Sequence, residues 1–240
     1  MKKYSSFLNE MKLKIQYHDT LNPKLWNNEG VLDSEVRDKL LQFASTWQEF
    51  ANIPDKAVKD IIMTGGNANY NYTDVSDIDV HLIVDKDKIA KGNELLDDYL
   101  QDKKMLWTMA HSITIKGYPL EPYAQDYKAG YPVNQGAYSI KNNKWVQKPE
   151  HIDGTIVDDK LLKQKVKFYG KMIDDMIKNH MDTDAFSNLK KKLRDMRGSG
   201  IQKGGEFSFE NLLFKELRNR GYLDKMNKYE KTQQDKALTL

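Results

Sequence analysis

Asp77 and Asp79 stand one residue apart in the run "SDIDVHLIVD", interleaved with Ile78, Val80, Leu82 and Val84. In an extended strand, residues i and i+2 project from the same face, with a rise of about 3.3 Å per residue. Two carboxylates so placed repel each other, and burying them uncompensated is costly. A divalent cation between them reverses both penalties. Oxygen-only donors in so compact a set suit Mg²⁺, with Mn²⁺ as a substitute; such an ion keeps part of its water shell and borrows oxygens from a substrate phosphate. Two ions about 3.5–4 Å apart can hold an attacking and a leaving oxygen in line. Upstream, the apolar "IIMT" ends in Gly65-Gly66. A glycine pair after a strand lets backbone N–H groups approach a phosphate with no Cβ in the way. Strand, Gly-Gly, loop, strand with Asp-x-Asp is the order expected where a nucleoside triphosphate sits over metal-binding carboxylates.

Several elements must position these residues. The spacing of Val36, Leu40, Phe43, Trp47 and Phe50 predicts an amphipathic helix over 34–51, capped by Asp33 or Ser34. Pro54 suits the first turn of a short helix over 54–60. Strands are expected at 61–64 and 77–84, the second with Asp77, Asp79, His81 and Ile83 on one face. A helix near 86–104 follows, weakened at Gly92, with Leu95, Leu96, Tyr99 and Leu100 inward. Residues 113–126 read as a hairpin or bent strand turning at Gly117-Tyr118-Pro119, and 137–147 as a hairpin turning at Asn142-Asn143. From about Asp153 the pattern is helical: 159–179, 183–196, then a glycine-rich loop, "RGSGIQKGGE". A last helix is expected to be capped by Ser208 and stopped at Gly221.

The segment "TGGNANYNYTDVSDIDVHLIVD" resembles the signature of the DNA polymerase β-like nucleotidyltransferase superfamily: an apolar strand, Gly-Gly, about ten residues, then Asp-apolar-Asp-apolar. Eleven positions separate Gly66 from Asp77. "LNPKLW", "NYNYT", "GAYSI" and "GEFSFENLLFKELRNRGYL" are similar to segments of small nucleotidyltransferase-like proteins, many of them in bacteriophages. The resemblance implies an α/β (α+β) fold, a mixed sheet flanked by helices, with a nucleotidyltransferase domain over 1–153 and a helical region over 154–240. It implies a third carboxylate on a later strand, taken as Glu121 with Asp126 as the fallback; its family role is to ligate the catalytic metal and draw a proton from the acceptor hydroxyl. Pro122 beside it departs from the family pattern and suits a sheet edge. The nucleotide contacts implied are Thr64, Gly65, Gly66, Asn67, Tyr70, Tyr72, Ser76, Tyr138 and Ser139.

By residue type alone, Asn67, Asn69, Tyr70 and Tyr72 are equally turn-formers. Tyr138, Ser139 and Trp145 read as strand and core residues, with stacking on a base as the alternative. His81 reads as a packed histidine, Asp74 as a loop cap or a substrate contact, and the glycine-rich stretch around Arg197 and Lys203 as a hinge or a phosphate contact.

Composition narrows the classes. The chain has 240 residues, 39% of them hydrophobic and 30% charged, which is globular rather than disordered. No apolar run approaches the ~18 residues of a membrane span, and no signal core follows the basic N-terminus. The absence of cysteine excludes disulfides and thiolate chemistry; a cytoplasmic location is expected. Residues 1–158 carry 19 Lys/Arg against 23 Asp/Glu, and residues 159–240 carry 19 against 12. The basic C-terminal third is a solvated surface or a phosphate-contacting one. The function expected is transfer of a nucleoside monophosphate from an NTP, ATP or another, to an acceptor hydroxyl on RNA, protein or a small molecule, with two Mg²⁺ ions and release of pyrophosphate. The alternatives are pyrophosphate transfer of the alarmone-synthetase type, suggested by Glu121 and Gln125, and a non-catalytic NTP- or nucleic-acid-binding module.

Overall fold

The computed structural model describes residues 11–151 and 159–239. They form two compact units: Tyr17–His151, and residues 11–16 together with 159–239. The helical unit thus includes a stretch near the N-terminus, whereas the sequence pattern puts everything before residue 154 in one domain. Among the described residues no helix is long and apolar enough to cross a membrane.

The first unit is a six-stranded mixed sheet in the order β3-β4-β2-β1-β5-β6. Its strands are β1 (Val58–Thr64), β2 (Ile78–Val84), β3 (Thr114–Ile115), β4 (Tyr118–Asp126), β5 (Ala137–Ser139) and β6 (Lys144–Gln147). β2 and β4 are parallel, and every other pair is antiparallel. The crossover between β2 and β4 carries helices α2 (Asp87–Ala90) and α3 (Leu96–Ala110); α1 (Ser34–Phe50) precedes the sheet. Asp33 caps α1, its Oδ1 accepting from the Val36 N–H at 3.2 Å. Lys56 and its neighbours form only one 3₁₀ turn, Asp55–Ala57, because the strand already begins at Val58. Gly92, at φ +69, divides the expected 86–104 helix in two, and the second part runs on to Ala110.

Alternation along the strands divides the sheet into two chemically distinct faces. Ile78, Val80, Leu82 and Val84 bury one face with Met63, Leu120 and Tyr138 against Val36, Leu40, Phe43 and Trp47 of α1 and Leu96, Leu100 and Trp107 of α3. Leu95 and Tyr99, expected inward, are 67% and 38% exposed: α3 turns Leu96, Leu100 and Trp107 to the sheet instead. The other face carries Thr64, Asp79, His81, Glu121 and Tyr123, and its apolar patch is small: Ile62, Ile83 and Ala137, with Tyr131 packed on them.

The described residues of the second unit form four helices: α4 (Asp159–Lys178), α5 (Thr183–Gly204), α6 (Phe209–Asn219) and α7 (Tyr222–Leu238). Two expectations are corrected here. The glycine-rich "RGSGIQKG" is not a loop but the last turns of α5, and Gly200 packs so closely that a Cβ there would lie 2.9 Å from both Ser208 Oγ and Glu210 Cβ. Gly221 ends α6 in a left-handed conformation, but α7 follows at once. Ser208 occupies the α6 N-cap position without a side-chain cap bond.

Buried charges tie this unit together. Burial pushes the Glu206 carboxyl upward, but Lys215 at 2.7 Å, Arg197 and Asn211 outweigh it and hold the group below its ordinary value. Glu216 is fully buried, bonds Arg220 at 2.8 Å, and accepts the backbone N–H groups of Lys14 and Ile15, the latter at 2.6 Å. Arg220 in turn donates to the Lys12 carbonyl at 2.5 Å. This is why residues 12–15 belong to the helical unit. Removing Glu216 would leave Arg220 without its carboxylate and the Lys14 and Ile15 N–H groups without an acceptor, a loss of about 3–5 kcal/mol. Glu216→Ala is therefore expected to destabilise the unit on that scale in chemical denaturation and to open Lys12 and Lys14 to trypsin. Glu216→Gln, which keeps an acceptor for the two N–H groups, is expected to lose less.

Candidate metal centre

The site is built by register. Antiparallel pairing sets Asp79 opposite Thr64, and parallel pairing sets Glu121 beside Asp79. Residues paired across strands share a face, and adjacent strands lie about 4.8 Å apart. Asp77, just ahead of β2, adds a third carboxylate. One oxygen from each of Asp77, Asp79 and Glu121 lies within 4.8 Å of the others, all three residues being half-buried. Three hard oxygen donors so close fit a divalent cation of the Mg²⁺ or Mn²⁺ type. The fallback Asp126 is excluded: it pairs with Val84 at the far end of β4, an odd number of residues from Glu121 and hence on the other face, and its Oδ1 accepts from the Lys128 N–H at 2.9 Å. Pro122 is accommodated at an open edge. Leu120 N–H points to β3, bonding the Ile113 carbonyl at 3.0 Å, so the position of Pro122 faces the same way, beyond the two-residue β3, where no donor is required.

Gly65 adjoins the carboxylates. Its φ is +78, and a Cβ built on it would lie 1.8 Å from Asp79 Oδ2. Both conditions demand glycine. The 3₁₀ turn Gly66–Ala68 follows, with Ala68 N–H bonding Gly65 O and Asn69 N–H bonding Gly66 O. The backbone N–H groups of Gly66 and Asn67 lie ahead of the first of these bonds.

The asparagine/tyrosine loop is mostly self-supporting. Asn67 is fully buried; its amide donates to the Asp77 carbonyl at 2.9 Å, and its Oδ1 accepts from Asn22 at 2.8 Å. Trp26 donates to the Asn67 carbonyl at 2.7 Å. Asn69 bridges the Gly65 carbonyl and the Gly136 N–H. Tyr72 is buried and stacked on His18 at 3.8 Å, and Ser76 Oγ accepts the Thr73 N–H. Tyr70 is half-buried against His151. Of the expected nucleotide contacts, Asn67, Tyr72 and Ser76 therefore spend their side chains on the loop or on the segment around His18 and Asn22 that supports it. Tyr138 lies in the core on the opposite face, edge-on to Trp26 and Trp145. Ser139 shares the carboxylate face but donates to Asp60 at 2.7 Å.

Beneath the carboxylates runs a hydrogen-bonded chain. His81 Nε2 meets Thr64 Oγ1 at 3.2 Å, and Nδ1 meets Gln125 Oε1 at 2.8 Å. The ring stacks on Tyr123 at 4.5 Å. Burial holds the imidazole down at about 4, with the Gln125 bond opposing and Lys104 adding to the effect. Tyr123 donates to Glu121 Oε2 at 2.7 Å; burial, then Asp79 and Glu121, keep its phenol protonated well above the ordinary range. Lys104, from α3, donates to the same oxygen at 3.1 Å and lies 3.3 Å above the Tyr123 ring. Nothing in the local sequence pattern of α3 singles Lys104 out.

No protein-family model, no curated protein sequence and no solved structure matches this chain.

Two predictions follow from this geometry. Gly65→Ala is expected to push Asp79 aside, weakening Mn²⁺ binding by at least about tenfold and costing roughly 1–3 kcal/mol of stability for strained backbone. Gly198→Ala on α5, where a Cβ meets open space, serves as the control and leaves both unchanged or slightly improved. For His81, the unfolded chain takes up a proton near pH 6.5 and the folded chain only near 4. Stability from neutral His81 is thus intact above the first value and lost as pH falls toward the second, by about 3 kcal/mol. Metal-free urea titrations at pH 7 and pH 4.5 should show this component in the wild type and not in His81→Asn.

Proposed function

We propose that this chain is a metal-dependent nucleotidyltransferase: it moves a nucleoside monophosphate from an NTP to an acceptor hydroxyl and releases pyrophosphate. The observation that supports this reading is the meeting of Asp77, Asp79 and Glu121 oxygens within 4.8 Å on one sheet face, with the Gly65 backbone against Asp79. Asp77, Asp79 and Glu121 would hold the divalent ions. When bound, Mg²⁺ supplies Lewis-acid neutralisation of developing phosphoryl charge. The Gly65-Gly66 turn keeps Cβ atoms away from the phosphates and offers the N–H groups of Gly66 and Asn67. Tyr123 and Lys104 hold the Glu121 carboxylate by one oxygen and so fix its rotation. Catalysis of this kind is mainly positional and electrostatic. The acceptor, whether RNA, protein or small molecule, is left open, and the basic helical unit is a surface where phosphates could lie.

The pairing of Glu121 with Gln125 is what suggests pyrophosphate transfer, and Gln125 is the member that bears on the choice. Its amide is spent on His81 and on the Gly130 carbonyl at 2.8 Å, so monophosphate transfer is the better-supported reaction.

The test uses the full chain with Mg²⁺ and each NTP, labelled at the α- or the γ-phosphate, over separate RNA, protein and small-molecule fractions. Transfer of α-label alone is expected. Asp77→Asn and Asp79→Asn should each lower it by about 10²–10³-fold or more, the scale of removing a group aimed at transition-state charge. Transfer of γ-label, or α-transfer surviving both substitutions, would sink the assignment.

A further inference from the structure

The carboxylate triad already holds a cation of its own. Lys104 reaches Glu121 Oε2 from α3 with its side chain 16% exposed. The ammonium is held by that oxygen and by the face of the Tyr123 ring, 3.3 Å away. Tyr123 is itself fixed by its bond to Glu121 and its stack on His81. Lys104 is thus lodged in the site by two neighbours, Glu121 and Tyr123, the second of them held in turn by His81. It does not sweep solvent as a surface lysine does.

Charge balance gives this placement a consequence. Three carboxylates carry three negative charges, and Lys104 reduces that to two. One divalent ion neutralises the remainder; a second would leave the site with a net double positive charge in a half-buried setting, where charge is poorly screened. A second ion is then favourable only if it arrives with negative charge of its own, as a polyphosphate does. Without Lys104 the triad would attract nucleotide-free ions more strongly and polyphosphate more weakly.

We propose that Lys104 is the internal counter-cation of the triad, and that it makes divalent-ion loading depend on the polyphosphate substrate. The inference rests on the reading of Asp77, Asp79 and Glu121 as a metal site. Lys104 acts through electrostatics and through Glu121, as a positioning and charge-balancing residue.

Lys104→Met removes the charge and keeps an unbranched apolar stem over Tyr123. Two affinities are read on wild type, Lys104→Met and Lys104→Arg: Mn²⁺ alone, by electron paramagnetic resonance, and a non-hydrolysable NTP with Mg²⁺, by calorimetry. In Lys104→Met, Mn²⁺ alone should bind roughly tenfold more tightly, the scale of one unit charge a few ångströms from the ion. The NTP analogue should bind more weakly by a similar factor. Lys104→Arg should restore the wild-type pattern. A purely structural role would weaken both affinities together, so Mn²⁺ binding that is unchanged or weaker in Lys104→Met overturns the inference. Asp77→Asn/Asp79→Asn separates the two levels. If Mn²⁺ is lost in that double variant but not tightened in Lys104→Met, only the role of Lys104 fails. If the double variant binds Mn²⁺ as the wild type does, the metal reading fails and the inference with it.

Discussion

Three carboxylates converge on one point of the Tyr17–His151 unit, and their mutual repulsion is the constraint that its other features answer. The convergence depends on the parallel register of β2 and β4. A slip of one residue would turn Glu121 to the helix-covered face and bring Pro122 or Leu120 beside Asp79. That register is fixed from the opposite face, where Ile78, Val80, Leu82 and Leu120 pack under α1 and α3. The apolar side of β2 therefore stabilises what its acidic side destabilises. Donors directed at the site lessen the remaining cost: Tyr123 and Lys104 on Glu121, and Asn67 on the backbone of Asp77.

The close approach of Gly65 to Asp79 extends this dependence into the chain before β2. With a Cβ excluded, the turn folds over the carboxylate, and the loop that follows must be held without help from a long helix. It is held by side-chain amides. Asn67 and Asn69 serve as backbone surrogates, each bonding main-chain groups distant in sequence. Asn22 and Trp26 complete the support from a segment about forty residues earlier, and Trp26 also joins Tyr138 and Trp145 in the core. A loop rich in asparagine and tyrosine thus becomes a rigid connection, because buried amides are stable only when their hydrogen bonds are satisfied.

How much of this could be read from the sequence follows from the range of the interactions. Asp77, Asp79 and the glycine pair are legible because strand alternation and glycine geometry are local rules. Glu121 is legible as one of two candidates; only the register decides, since Glu121 and Asp126 differ in strand parity. Lys104 is not legible, because its helix pattern is set by Leu100 and Trp107, while its partner lies on β4 through tertiary packing. The α5 glycines mislead for a related reason. Glycine-rich sequence suggests a loop, but Gly200 is selected by the closeness of Ser208 and Glu210, a packing requirement compatible with helix. Helix α7 buries only Met226 and Glu230, too sparse a stripe to announce itself by periodicity.

The same accounting of side chains limits what the loop between β1 and β2 offers a ligand. Asn67 and Asn69 are fully buried, Tyr72, Thr73 and Ser76 nearly so, and their polar atoms are engaged within the loop or with its supports. Asp74 and Val75 are exposed, Val75 at 61%. Tyr70 is half-buried, edge-on to His151 at 5.0 Å between ring centroids. The residues that define the loop's character are therefore its scaffold, and its outward surface is a short acidic-apolar tip beside Asp77. On this side the exposed part of the loop is that tip, not an array of amides. The chemical distinctiveness of the loop lies in the shape it holds, since the atoms that hold it are no longer available for recognition.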